Sequence, residues 1–181
     1  MGLKTPQEYV DSLRALEIRA YVGGERVTGS VVDHPMVAPH VNTVAKTYEL
    51  AHKPEHAEVM TATSHLTGER IHRYTHVFQS ADDLVKKIQM LRLLGQTTGT
   101  CFQRCVGLDA VNATYAVSFE VDAAHGTGYH QRFRRFLERV QRNDLMLAGA
   151  MTDPKGHRAQ RPSEQSDPDQ FVRVVERRED G

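Results

Sequence analysis

Apolar positions recur at helical spacing through most of this chain. Residues 39–51, PHVNTVAKTYELA, place Val41, Val44, Ala45 and Tyr48 on one helical face, and Pro54 marks where that helix must stop. SADDLVKKIQMLRLLG repeats the pattern with Leu84, Ile88, Leu91 and Leu94. There Ser80 is a natural N-cap, Asp82 and Asp83 suit the positive end of the helix, and Gly95 is predicted to close it. A further helix is predicted from Thr100 to Tyr115, with Gly107 inside it. In GYHQRFRRFLERVQRND, Tyr129, Phe133, Phe136 and Val140 share a face opposite the arginines. Near the start, Thr5, Pro6 and Glu8 form a capping box with proline at the first helical position.

The helical pattern is broken in two regions. RAYVGGERV sets Gly23 and Gly24 between short β-prone runs and predicts a hairpin or tight turn. After Asp144, LMLAGAMTDPKG is an apolar, strand-like run that leads into a turn at residues 153–156. AQRPSEQSDPDQ is polar and proline-punctuated, and FVRVVERREDG starts like a strand. The expected fold class is mainly α: a helical N-terminal domain over residues 1–145, then the beginning of a β-rich domain over 146–181. A β domain needs several strands to bury a face. The chain therefore reads as part of a longer polypeptide.

The 181 residues carry 23 basic and 23 acidic side chains, so no basic field suited to nucleic acid is present. No apolar run reaches membrane-span length, and no charged-then-apolar leader marks secretion. A reducing, cytoplasmic setting is the expectation, and there a close cysteine pair points to metal or catalysis before disulfide. Ten histidines are scattered along the chain. His52 with His56 and His72 with His76 have HxxxH spacing, but neither pair has the glutamate a zinc-protease helix needs. Most of the histidines are expected at the surface or at helix caps.

Both cysteines lie in TGTCFQRCVG, as Cys101 and Cys105. At i and i+4 on a helix their Cβ atoms are about 5–6 Å apart on one face, so two thiolates can point at one centre. Soft thiolates suit zinc or an iron–sulfur cluster, either of which normally takes four ligands. The remaining ligands would come from histidines, a second chain or further sequence. Two ordinary buried helix cysteines remain the alternative. Further on, AMTDPKGHR presents Thr152, Asp153, Lys155 and Arg158 beside a proline turn containing Gly156. Hydroxyl, peptide N–H groups and two cations are what a flavin ring system uses. A solvated turn has the same composition.

The stretches VAKTYELAHKPEHAEVMTATSHLTGERIHRYTHVFQSADDLVKKIQMLRLLGQTTGTCFQRCVGLDAVNATY and NDLMLAGAMTDPKGHRAQRPSEQSDPD resemble the amino-terminal portion of the 4-hydroxybutyryl-CoA dehydratase/vinylacetyl-CoA Δ-isomerase family. The resemblance covers nearly the whole chain, and CFQRC is its most specific element. The wider superfamily includes the flavin-dependent 4-hydroxyphenylacetate 3-monooxygenases, which are similar in fold and not expected to have the cysteine pair.

The resemblance implies an acyl-CoA-dehydrogenase-like architecture, a homotetramer, and FAD with a 4Fe–4S cluster in one active site acting on an acyl-CoA substrate. By motif, Cys101 and Cys105 match two cluster ligands, and Gln103 falls beside the cluster. Met151, Thr152, Asp153, Pro154, Lys155, Gly156 and Arg158 match a flavin-contacting segment. The implied chemistry is dehydration of 4-hydroxybutyryl-CoA to crotonyl-CoA, with isomerisation of vinylacetyl-CoA to the same product. One-electron exchange with flavin would acidify the β-hydrogen, and a Lewis-acidic iron would hold the leaving hydroxyl. Lys155 or Arg158 would stabilise charge on reduced flavin. The family's other cluster ligands, a histidine and a third cysteine, are expected outside this chain, and no residue here is assignable as the general base. A flavin-dependent monooxygenase-like oxygenase and a non-catalytic helical binding protein are the alternative readings.

Overall fold

The computed structural model describes residues 2–99, 104–149, 156–157, 159–161 and 164–166. The chain divides into two compact units, Met1–Gly149 and Ala150–Gly181.

In the first unit, α1 (Pro6–Arg14) begins at the predicted capping box. Thr5 Oγ1 accepts from the Glu8 N–H at 3.2 Å and Glu8 Oε2 accepts from the Thr5 N–H at 2.7 Å, satisfying two donors at the helix end. β1 (Tyr21–Val22) and β2 (Glu25–Arg26) make the expected hairpin across Gly23 and Gly24, both at positive φ. α2 (Ala38–His52) buries Val41, Val44 and Tyr48 and ends before Pro54. α3 (Ala57–Met60) leads into a second hairpin, β3 (Thr61–Thr63) antiparallel to β4 (Arg70–His72), which the periodicity does not announce. α4 (Ala81–Thr98), α5 (Arg104–His125) and α6 (Tyr129–Arg142) complete the helices among the described residues.

Several expectations are corrected. α4 runs through Gly95 and stops at Gly99, whose φ of 67° closes the helix in the left-handed region. Its buried positions are Met90 and Leu94, while Leu84 and Ile88 stay 49 % and 63 % exposed, because the apolar core meets only the second half of the helix. α5 continues ten residues beyond the predicted end at Tyr115. In α6 the buried stripe is Leu137, Val140 and Gln141, and Tyr129 and Phe136 remain exposed. Residues 145–149 are irregular rather than a strand. They lie against α5, where the Leu147 carbonyl comes so close to Gly107 that a Cβ there would sit 2.6 Å from the oxygen.

Leu50, Ala51, Met60, Tyr74, Met90, Leu94 and Leu108 form one apolar cluster, and Val77, Val111 and Leu137 a second. Leu108 and Val111 both belong to α5, so this helix ties the clusters together. Full burial of each large side chain contributes about 1.5–3 kcal/mol. Among the described residues no helix is long and apolar enough to cross a membrane.

In the second unit, Gln165 folds over a turn: its Oε1 accepts from the His157 N–H and its Nε2 donates to the His157 carbonyl, both at 2.8 Å. The strand expected in FVRVVERREDG lies outside the described residues.

Candidate functional site

α5 opens with Arg104 and Cys105. Cys105 is half-buried, and Arg104 has 0 % exposure. Arg104, Leu108 and Val111 follow i, i+4, i+7 spacing, so the arginine occupies a core position of the helix. Its guanidinium carbon lies 4.3 Å from the Tyr74 ring centroid and 5.1 Å from that of Tyr48. Nη1 donates to Thr47 Oγ1, which itself donates to the Val44 carbonyl at 2.7 Å. Nε and Nη2 are enclosed and have no hydrogen-bond acceptor among the described residues. Among the described residues no carboxylate forms an ion pair with Arg104. Two aromatic faces contribute up to about 2 kcal/mol each in a dry site, whereas a buried, uncompensated ion costs at least several kcal/mol. The tyrosines offset only part of that cost, and the surroundings of Arg104 favour an anion.

The side chains that surround Arg104 come from distant parts of the sequence. Tyr48 stacks on Tyr9 at 4.6 Å, meets His72 edge-on at 4.9 Å and donates its hydroxyl to the Asp144 carbonyl at 3.3 Å. Burial pushes the Tyr48 and Tyr9 phenols up against the pull of Arg104, so both stay neutral. His72 is fully enclosed and neither ring nitrogen has a hydrogen-bond partner among the described residues. Burial, helped by Arg104, His52 and Arg70, holds its pKa well below the usual value. It is a neutral core imidazole, an exception to the surface or cap positions expected for most of the histidines. Asp144, at φ 43°, accepts the Lys4 N–H at 2.9 Å, and burial raises its carboxyl despite that bond and the Arg104 charge.

A second polar cluster has its charges matched internally. Arg73 Nη1 meets Asp83 Oδ1 at 3.0 Å, and its Nε and Nη2 donate to the carbonyls of Val59, Glu58 and Thr61. His76 Nε2 lies 3.1 Å from the same carboxylate oxygen. Burial opposes ionisation of Asp83, but the Gln79 N–H, His76 and Arg73 together outweigh it and hold its pKa at about 2. His76, also buried, is lowered by that burial despite Asp83. This cluster ties the turn after β4 to α3, the start of β3 and α4, and is structural. Elsewhere, an apolar groove of about 490 Å³ is lined by Ala113, Thr114, Val117, Ser118, Val121 and Tyr129.

Of the residues singled out in the sequence, Cys105 sits in the first turn of α5. Gly156 is exposed, and the far end of the Gln165 side chain lies against it. Cys101, Gln103, Met151, Thr152, Asp153, Pro154, Lys155 and Arg158 lie outside the described residues. Among the described residues no group of three or more His, Cys, Asp or Glu side chains is placed to hold a metal ion. The donors of buried Arg104 that have no acceptor among the described residues suit an anionic group. Arg104 and His72 are the site residues that the reading of the sequence missed. For Arg104 the available signal was a charge on the same spacing as Leu108 and Val111.

The chain matches the N-terminal family of 4-hydroxyphenylacetate 3-hydroxylase over residues 5–181. It belongs to that family. A relative described as 4-hydroxybutyryl-CoA dehydratase/vinylacetyl-CoA-Δ-isomerase from Clostridium aminobutyricum is 52 % identical over 99 % of this chain and 36 % of its own length. The 4-hydroxyphenylacetate 3-monooxygenase oxygenase component of Thermus thermophilus is 29 % identical over 98 % of this chain and 36 % of its own length. An oxygen-tolerant archaeal 4-hydroxybutyryl-CoA dehydratase from N. maritimus superposes with a TM-score of 0.85 at 48 % identity, over 98 % of this chain and 35 % of that one. The oxygenase component of 4-hydroxyphenylacetate 3-monooxygenase in complex with FAD and 4-hydroxyphenylacetate superposes with a TM-score of 0.73 at 25 % identity, covering 97 % and 36 %. The chain thus spans about a third of the length of these relatives. Its helical fold is the acyl-CoA-dehydrogenase-like fold of the hydroxylase family, as expected from the resemblance.

Proposed function

We propose that this member of the hydroxylase family serves a 4-hydroxybutyryl-CoA dehydratase with vinylacetyl-CoA Δ-isomerase activity, using FAD and a 4Fe–4S cluster. The observation that carries this is the 52 % identity to the clostridial dehydratase across 99 % of the chain, against 29 % to the Thermus monooxygenase component. The thiolates of Cys101 and Cys105 would be two of the cluster's ligands, and Gln103 would sit close to it. Residues 151–158 bind the flavin, with Lys155 and Arg158 placing positive charge beside it. When bound, the two cofactors supply one-electron exchange with the substrate and a Lewis-acidic iron for the departing hydroxyl. The acyl-CoA substrate, a homo-oligomeric assembly and a β-rich middle domain beginning within residues 146–181 belong to the same reading.

The family's hydroxylase members, one of them seen with FAD, support a second reading as a flavin-dependent oxygenase without iron. Anaerobic purification at full natural length, followed by iron, sulfide and flavin analysis, separates the two. Iron and sulfide abolished by Cys101→Ala or Cys105→Ala, together with conversion of 4-hydroxybutyryl-CoA to crotonyl-CoA, support the dehydratase. Flavin without iron supports the oxygenase. A folded protein that takes up neither is a binding protein, for which the apolar groove on α5 is the available surface.

A further inference from the structure

We propose that Arg104 and His72 together hold a small monovalent anion, chloride or bromide, in an enclosed site beside the rings of Tyr48 and Tyr74. Neither side chain has exposed surface. Arg104 Nε and Nη2 and His72 Nδ1 and Nε2 have no hydrogen-bond partner among the described residues. The same two tyrosines grip both side chains. The guanidinium carbon lies 5.1 Å from the Tyr48 ring centroid and 4.3 Å from that of Tyr74. The imidazole meets Tyr48 edge-on at 4.9 Å and lies 6.5 Å from Tyr74. Tyr9 stacks on Tyr48 at 4.6 Å, so aromatic rings line the place where Arg104 and His72 meet the same neighbours. Orphaned polar atoms at this depth are met by an ordered water or an ion. Water alone answers the hydrogen bonds and leaves the charge, which arginine, unlike histidine, cannot shed by losing a proton. Asp144 feels that charge without pairing with it, since burial raises its carboxyl and the Lys4 N–H already occupies one of its oxygens. Burial and the charge of Arg104 keep His72 neutral. A neutral ring has one N–H to give to an anion and one lone pair for a bridging water. Because neither side chain reaches the surface, the site suits an ion about the size of a water molecule, not a phosphate or an organic acid.

The test is a crystal structure of the protein at full natural length, grown with sodium bromide and recorded on both sides of the bromine absorption edge. The expected result is an anomalous peak within hydrogen-bond distance of Arg104 Nε or Nη2 and of a His72 ring nitrogen, absent from Arg104→Met. Wild-type crystals decide the question alone where that variant does not fold. In solution, bromide is expected to slow heat inactivation of the wild type in a saturable way, relative to sodium gluconate at equal ionic strength, whose anion is too large to enter. His72→Leu keeps the charge and loses one donor, so it is expected to need several-fold more bromide for half the effect. A water without anomalous signal at this place overturns the proposal. A carboxylate from the rest of the polypeptide bonded to Arg104 does so too. A bromide effect identical in wild type and His72→Leu marks general salt action and overturns it as well.

Discussion

Two glycines inside helices, Gly107 and Gly95, are expected to respond to alanine with opposite signs. At Gly107 in α5 an added Cβ would lie 2.6 Å from the Leu147 oxygen, 2.9 Å from its carbonyl carbon and 3.3 Å from the Ala148 nitrogen. Carbon and oxygen sit comfortably at about 3.3–3.6 Å, so the 147–148 backbone must retreat by about 0.7 Å or more. The obstacle is main chain, not the tip of a flexible side chain. The upper part of the overpacking range, about 2–3 kcal/mol, therefore applies. Alanine gains about 1 kcal/mol over glycine in a helix interior, leaving a net loss of about 1–2 kcal/mol. For a chain of this size that lowers Tm by roughly 3–6 °C. Gly95 lies within α4 with nothing within 4 Å of its Cβ position and no positive φ, so Gly95→Ala is expected to gain about 0.8–1 kcal/mol. Thermal and urea unfolding of the two variants beside wild type measures both. If Gly107→Ala is stabilised like Gly95→Ala, the close approach of the 147 backbone to α5 is refuted.

Asp83→Asn removes a carboxylate whose pKa drops from 3.8 to about 2 on folding, and is expected to cost about 2 kcal/mol at neutral pH. A depressed carboxyl stabilises above pH 3.8 and loses that contribution as pH falls towards about 2, so denaturation should show the gap to wild type closing over that window. His72 has the acid-sensitive sign of a buried neutral base. Its contribution is complete above pH 6.5, its ordinary value, and declines below, where the unfolded chain takes a proton that the folded one refuses. The expected slope is about 1.4 kcal/mol per pH unit, and His76 adds a smaller one of the same sign. His72→Leu should flatten the stability profile between pH 6.5 and about pH 5 by one proton; an unchanged slope would show that the imidazole is not shielded.

Features decided by short-range chemistry were legible in the sequence. The Thr5–Glu8 capping box, the Gly23–Gly24 turn, the Pro54 stop and the buried face of α2 depend on residues within a turn or two of each other, and the structure has them where the pattern puts them. The CFQRC segment and the family resemblance belong to the same level, since they are words in the chain. Burial is different, because it is a property of two surfaces, and one element's periodicity does not reveal what lies opposite. Leu84 and Ile88 continue an apolar stripe that no core meets, and Tyr129 and Phe136 do the same on α6. His72 is enclosed because Tyr48 and Tyr74 close over it from α2 and the turn after β4. Arg104 shows both levels at once: helical spacing alone sends it inward, and only the packing of α1, α2, β4 and α5 around Tyr48 decides that, among the described residues, its charge meets two tyrosine rings and no carboxylate.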